Sequence, residues 1–182
     1  MKSKTFNIKA LTYGALMVAL IAICAWISIP STVSFTLQTF AIALTLLLLG
    51  GKLGTLTIAA YLILGAIGVP VFSNMTGGMA SLLGQTGGYL IGFLFMGLAY
   101  WLIVKLFGDK MYIKIIALVV GNVLCYAFGT VWFVQVYSNT KGAISYALAL
   151  SWCVTPFILP DCGKIVLAAL LSSRLKKHVT FK

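Results

Sequence analysis

Acid is what this chain has least of: Asp109 and Asp161 are its only two acidic residues, against 13 lysines and arginines. Histidine is nearly missing too, with His178 alone in the basic tail. The four cysteines, Cys24, Cys125, Cys153 and Cys162, stand singly in apolar runs without metal-ligand spacing, and read as small buried packing residues. A metal centre needs several nitrogen, sulfur or carboxylate donors, and an activated nucleophile needs a base beside it; neither set can be assembled from this inventory. The glycine stretch "LLGQTGGY" lacks the following lysine and Ser/Thr, and the preceding strand, of a phosphate-binding loop. The expectation is a protein that is not an enzyme and holds no metal or cofactor.

Polar stretches are equally scarce. With 62% hydrophobic and 8% charged residues and a mean hydropathy of +1.10, the chain does not have the composition of a soluble globular domain. The alternation of apolar and polar residues that a membrane β-barrel requires is absent. An all-α integral membrane protein follows, whose partner along most of its surface is the lipid bilayer. At roughly 20 residues per crossing, residues 1–182 have room for six spans in a single membrane domain. Candidate spans run from Leu11 to Ile29, Phe35 to Gly50, Leu53 to Val69, Leu82 to Phe107, Tyr112 to Tyr137 and Ala143 to Arg174. The second and third are short, joined by the turn "LGGKLG". The first has no convincing small-residue cleavage site and stays a helix rather than a secretion signal. The connection "VPVFSNMTGGMAS", residues 69–81, carries no charge and is a candidate lid or re-entrant segment.

Six spans put Lys2, Lys4, Lys9, Lys52, Lys105, Lys110, Lys114, Arg174, Lys176, Lys177 and Lys182 on one side, with Lys141 on the other. Cytoplasmic loops are enriched in lysine and arginine, so both termini are expected in the cytoplasm. The net charge of +11 is then a topology signal and a match to anionic headgroups. It does not form the basic folded face of a nucleic-acid-binding protein.

Against this background the stretch "TPFILPDCGKIVLAALL", residues 155–171, is anomalous, because it holds Asp161 and Lys164 inside an apolar run. An ionisable group at membrane depth costs at least about 2.5–3.5 kcal/mol and must face the protein interior or a wet cavity. Residues three apart share a helix face, so mutual neutralisation is one account, and snorkelling of Lys164 to the surface is another. Pro156 and Pro160 point to a broken helix start that frees backbone polar groups, which favours a ligand cavity. Further polar residues able to complete such a site are Gln38, Asn74, Gln85, Tyr89, Asn122 and Tyr126, each of which can also serve as an interhelical hydrogen bond. Phe72, Trp132, Phe133 and Tyr137 are candidate apolar walls. One anion, one cation, amides and aromatics suit a small, partly apolar molecule with N–H donors, neutral or singly anionic, and exclude bulk ions.

Three segments in order, "FTLQTFAIALTLLLLGGKLG", "GVPVFSNMTGGMASLLGQTGGYLIGF" and "PFILPDCGKIVLAALL", resemble the biotin-specific S components of energy-coupling factor (ECF) transporters, the BioY family. The resemblance covers nearly the whole chain; at Gln85 it departs from the proline the family often carries. It implies a six-helix protein of the prokaryotic plasma membrane that captures biotin outside. It also implies partnership with a transmembrane ECF coupling protein and two ATPase subunits. Together with the polar and aromatic residues above, the expected biotin-binding set is Asp161, Lys164, Asn74, Gln85, Tyr89, Gln38, Phe72 and Tyr126. In the first span Ala15 and Ala19 form a small-xxx-small pattern that permits close helix approach, and the resemblance implies that this face docks on the coupling partner. Two rivals stand beside it: a self-sufficient proton-coupled secondary transporter with Asp161 as the relay, against which the lack of an evident internal repeat counts, and a structural membrane subunit that binds no small molecule.

Overall fold

The computed structural model describes residues 8–29 and 34–176. Lys2, Lys4, Lys177, His178 and Lys182 lie outside the described residues. The elements are α1 (Ile8–Trp26), β1 (Ser28–Ile29), β2 (Phe35–Thr36), α2 (Gln38–Ala66), a 3-10 turn (Ser73–Met75), α3 (Met79–Leu83), α4 (Gly87–Phe107), α5 (Met111–Lys141), α6 (Tyr146–Cys153) and α7 (Thr155–Leu175). The molecule is nearly all-helical, and five of its helical stretches, counting α6 and α7 together, are long and apolar enough to cross a membrane. The departure from all-α is the short antiparallel ribbon in which Ser28 faces Thr36 and Ile29 faces Phe35. Its two-residue strands are too short to leave a periodic signal in the sequence.

α2 is a folded-back pair of arms, 38–49 and 51–66. Gly50 has φ 77° and ψ 175°, a left-handed value that a side chain disfavours. The reversal is plain from what it brings together. The Gln38 amide donates to the Tyr61 hydroxyl at 2.9 Å, whereas a straight helix would hold them roughly 35 Å apart. A first side-chain carbon on Gly54 would stand 3.1 Å from Leu46 Cα. The "LGGKLG" turn is thus where the sequence places it. Every residue from Ala41 to Leu49 is buried, as befits an arm that is apolar all round and therefore central. α1, α4 and α7 pack around α2.

α4 and α5 lie closest to one another. At Gly92 an added carbon would sit 2.7 Å from Cys125 Sγ, and at Gly121 it would sit 2.9 Å from Met96 Cγ. Small residues facing side chains across the contact let these two backbones approach, as membrane helix packing favours.

The expected last span, Ala143–Arg174, is two helices. Val154 between them has φ −125° and ψ −54°, Pro156 sits in the first turn of α7, and Pro160 lies inside it. Pro160 has no N–H for the Pro156 carbonyl, so the first turns of α7 lack part of the regular helical ladder. Of the cysteines, Cys24, Cys125 and Cys153 are buried and free as expected, but Cys162 is exposed. It lies next to Asp161 in sequence and points away from the packed face, because a helix turns about 100° per residue.

At one end of the bundle Asp109, in the α4–α5 connection, pairs with Lys114 at 2.7 Å and lies 3.7 Å from Lys176 beyond α7. Partial burial pushes the Asp109 carboxyl up, but the Lys114 and Lys176 ammoniums outweigh it and hold the group below the usual carboxylate range.

Candidate functional site

At the opposite end from Asp109 the ribbon, the arm 38–49 and the facing helices enclose a cavity of mixed polar and apolar lining. Its wall comprises Ser34, Thr36, Gln38 and Thr39 from the ribbon and the start of α2, with Ser73 from the 3-10 turn. Thr86, Tyr89, Leu90 and Phe93 come from the α4 side, Asn122, Cys125 and Tyr126 from α5, Cys153 from α6, and Phe157, Asp161 and Lys164 from α7. Hydroxyls and amides dominate the polar part, and the one ion pair among these residues is at its base.

Lys164 Nζ lies 2.7 Å from Asp161 Oδ1, with side-chain exposures of 7% and 3%. The other carboxylate oxygen, Oδ2, accepts from the Tyr126 hydroxyl. Both oxygens therefore have a partner, as a buried carboxylate requires if its desolvation is to be compensated. Each carboxylate oxygen keeps a second lone-pair site. Lys164 carries three N–H donors: one meets Asp161, and the ammonium also stands over the Phe35 ring, 4.3 Å from its centroid. A donor remains for a ligand acceptor. The pair can thus accept from one N–H of a ligand and donate to a neighbouring oxygen.

Of the sequence-derived candidates, Asp161, Lys164, Gln38, Tyr89 and Tyr126 come together on the wall, as does Asn122. Gln38 is 4% exposed and anchored by Tyr61, whose own hydroxyl donates to the Val71 carbonyl at 2.9 Å. The Tyr89 hydroxyl and Thr130 Oγ1 are 3.0 Å apart, which ties the start of α4 to α5 beside the cavity.

Asn74, Gln85 and Phe72 do not form part of the wall. Phe72 packs edge-on to Tyr61 with ring centroids 5.6 Å apart and presses on Gly65, so it is a core plug beneath the loop. Asn74 is tied to the ribbon: it accepts from Ser28 Oγ at 3.0 Å and donates to Ser34 Oγ at 3.4 Å, keeping its second amide N–H. Gln85 sits in the turn between α3 and α4, and its neighbour Thr86 faces the cavity instead. The candidate apolar walls also lie elsewhere. Trp132 donates to the Gly84 carbonyl at 3.0 Å, while Phe133 and Tyr137 stack on each other at 5.4 Å beside Ala149 and Cys153.

The apolar wall is instead Leu90, Phe93 and Phe157. Phe157 carried a usable signal, since 157, 161 and 164 follow the spacing of one helix face. Phe35, Thr36 and Thr39 carried none, because Phe35 reaches Phe157 only through the ribbon and the two threonines join the wall only through packing across the bundle.

Outside the cavity, Ala15 and Ala19 line a broad apolar groove with Gly14, Val18 and Ala22 on the α1 side and Leu53, Leu56 and Ala60 on the second arm of α2. Small side chains leave it open along its length.

The BioY family model matches residues 1–181. The chain is 38% identical over 170 residues to the biotin transporter BioY of Thermotoga maritima, a match covering 93% of this chain and 96% of that one. It is 36% identical over 169 residues to the probable biotin transporter BioY of Pyrococcus horikoshii, covering 92% and 96%. The crystal structure of the S-component for biotin from an ECF-type ABC transporter superposes with a TM-score of 0.82 at 32% identity, covering 97% of this chain and 95% of that chain.

Proposed function

Because the chain belongs to the BioY family, we propose that it is a multi-pass protein of the cell membrane that binds biotin for uptake and delivers it through an ECF-type coupling module. It is a transport component and not an enzyme. The observation that carries the ligand assignment is the buried Asp161–Lys164 pair at the base of a cavity lined by neutral hydroxyls, amides and aromatic rings. A cyclic urea offers N–H donors beside a carbonyl oxygen. Asp161 accepts from a ureido N–H, and Lys164 donates to the ureido oxygen. The carboxylate of biotin, at the far end of its four-carbon chain, then falls to neutral donors of the wall or rim, with Tyr89, Gln38, Asn74 and Gln85 as the candidates.

The chain forms one membrane domain crossing six times, with both termini cytoplasmic. Support for six comes from the reversal of α2 at Gly50, which divides it into two passes, with α1, α4, α5 and the α6–α7 stretch as the others. An even number returns the chain to its starting side, where the lysine-rich connections lie. The ribbon and the turn at Asn74 then face outward, over the cavity. The coupling module comprises a transmembrane partner and two ATPase subunits; the groove at Ala15 and Ala19 suits a helix of the transmembrane partner.

Equilibrium binding of labelled biotin to the detergent-purified chain tests the assignment. Saturable binding at one site per chain is expected. Absence of binding by a correctly folded preparation overturns it.

A further inference from the structure

The Lys164 ammonium has a neighbour that the ion pair does not account for. It stands over the face of Phe35, 4.3 Å from the ring centroid. Phe35 in turn stacks on Phe157, with ring centroids 5.8 Å apart and planes at 26°. Phe157, Asp161 and Lys164 share a face of α7, whereas Phe35 arrives from β2, more than a hundred residues earlier in the chain. An aromatic ring offers its negative face to a cation, and the attraction is strongest where water is excluded.

The ion pair by itself leaves Lys164 poorly defined. Four rotatable bonds separate the ammonium from the backbone, and a single hydrogen bond to Asp161 Oδ1 lets it swing about that oxygen. The Phe35 ring gives the ammonium a second contact, 4.3 Å from the ring centroid, that narrows this freedom. Lys164 also lines the cavity, so an N–H not engaged by Asp161 is available to a ligand there. The ring itself is held in register: its strand is paired to β1, and Asn74 bridges Ser28 and Ser34 on the two sides of the ribbon.

We propose that Phe35 is a positioning residue for Lys164, orienting the ammonium toward the ligand through the face of its ring, so that the ribbon contributes to ligand affinity without donating or accepting a hydrogen bond. This rests on the biotin assignment above. It adds that a side chain on the ribbon between α1 and α2 tunes the charge pair on α7. A leucine at 35 fills comparable space against Phe157 but has no ring face; a tyrosine keeps the face.

The test is a double-mutant cycle read by equilibrium binding of labelled biotin to the purified full chain. F35L is expected to weaken binding about tenfold, and F35Y to stay within about twofold of the native chain. In a K164M background F35L is expected to cause no further loss, because there is no cation left to orient. Equal losses in F35L and F35Y, no loss in F35L, or the same loss with and without Lys164 would each overturn the proposal and leave Phe35 as packing against Phe157. If F35L does not fold, phenylalanines bearing one, two and three fluorines at position 35 read the same quantity, since fluorine drains the ring face. Stepwise weakening is expected, and a flat series overturns it. A native chain that folds but binds no biotin speaks against the biotin assignment instead, so the two failures are distinguishable.

Discussion

Tyr126 on α5 donates its hydroxyl to Oδ2 of Asp161 on α7, while Lys164 takes Oδ1. One carboxylate thus joins two helices and a cation. Its removal would leave both a buried ammonium and a phenol without their partner.

That arrangement sets an order of severity. Truncating one member of a buried, hydrogen-bonded charge pair costs about 2–5 kcal/mol in binding, so Asp161→Asn and Lys164→Ala should each weaken biotin binding well over tenfold. Tyr126→Phe, which leaves the ion pair intact, should cost less than either. Titration with a biotin amide, which keeps the ureido ring and loses the carboxylate charge, separates the ends of the ligand. Lys164→Ala should weaken both ligands alike. Loss for biotin alone would move Lys164 to the carboxylate.

The turn at Asn74 is expected to close over the cavity from the outer face. Asn74 and Met75 both have positive φ, a costly backbone state that the Ser28 and Ser34 bonds help to hold. Spin labels on residues 75–78 should lose mobility when biotin is added, and Asn74→Ala should raise the biotin dissociation rate severalfold. Mobility unchanged at saturating biotin would show that this segment is not a lid.

Ala15→Leu and Ala19→Leu should leave biotin binding within about twofold and lower recovery of the coupling partner in co-purification. The larger leucine side chain fills the groove between α1 and the second arm of α2 and holds an incoming helix away. Parallel loss of binding and co-purification would indicate misfolding instead.

Asp109 supplies a pH signature. Partial burial works against its charged form, but Lys114 and Lys176 hold its carboxyl below the usual range. Its stabilising contribution is therefore complete above the ordinary carboxylate pKa and is lost as pH falls through the depressed folded value. The thermal midpoint of the purified chain should fall as pH drops from about 5 to below the ordinary aspartate pKa of about 3.9, and Asp109→Asn should remove part of that fall. The effect should be small and weaken further in high salt, because the carboxylate is 71% exposed and screened. An Asp109→Asn profile that matches the native one would remove Asp109 as its source.

Membrane residence, the helical class, the reversal at "LGGKLG" and the pairing of Asp161 with Lys164 are all legible in the sequence. Each depends on neighbours along the chain: apolar run length, a glycine turn, or two residues three apart on one helix. Facing was not legible. A membrane helix is apolar on its lipid side and its protein side alike, so periodicity does not say which polar residue looks inward. That is why Leu90 and Phe93 could not be picked out from the other apolar residues of α4 as cavity wall. Contacts between distant segments were equally hidden. Gln38 meets Tyr61 because α2 folds back on itself, Tyr126 meets Asp161 because α5 lies against α7, and Phe35 meets Lys164 because a two-residue strand turns it inward. None of these is a local preference of the chain. Each arises when helices pack to bury one another and the few polar side chains inside must find partners, a choice made by the whole bundle at once.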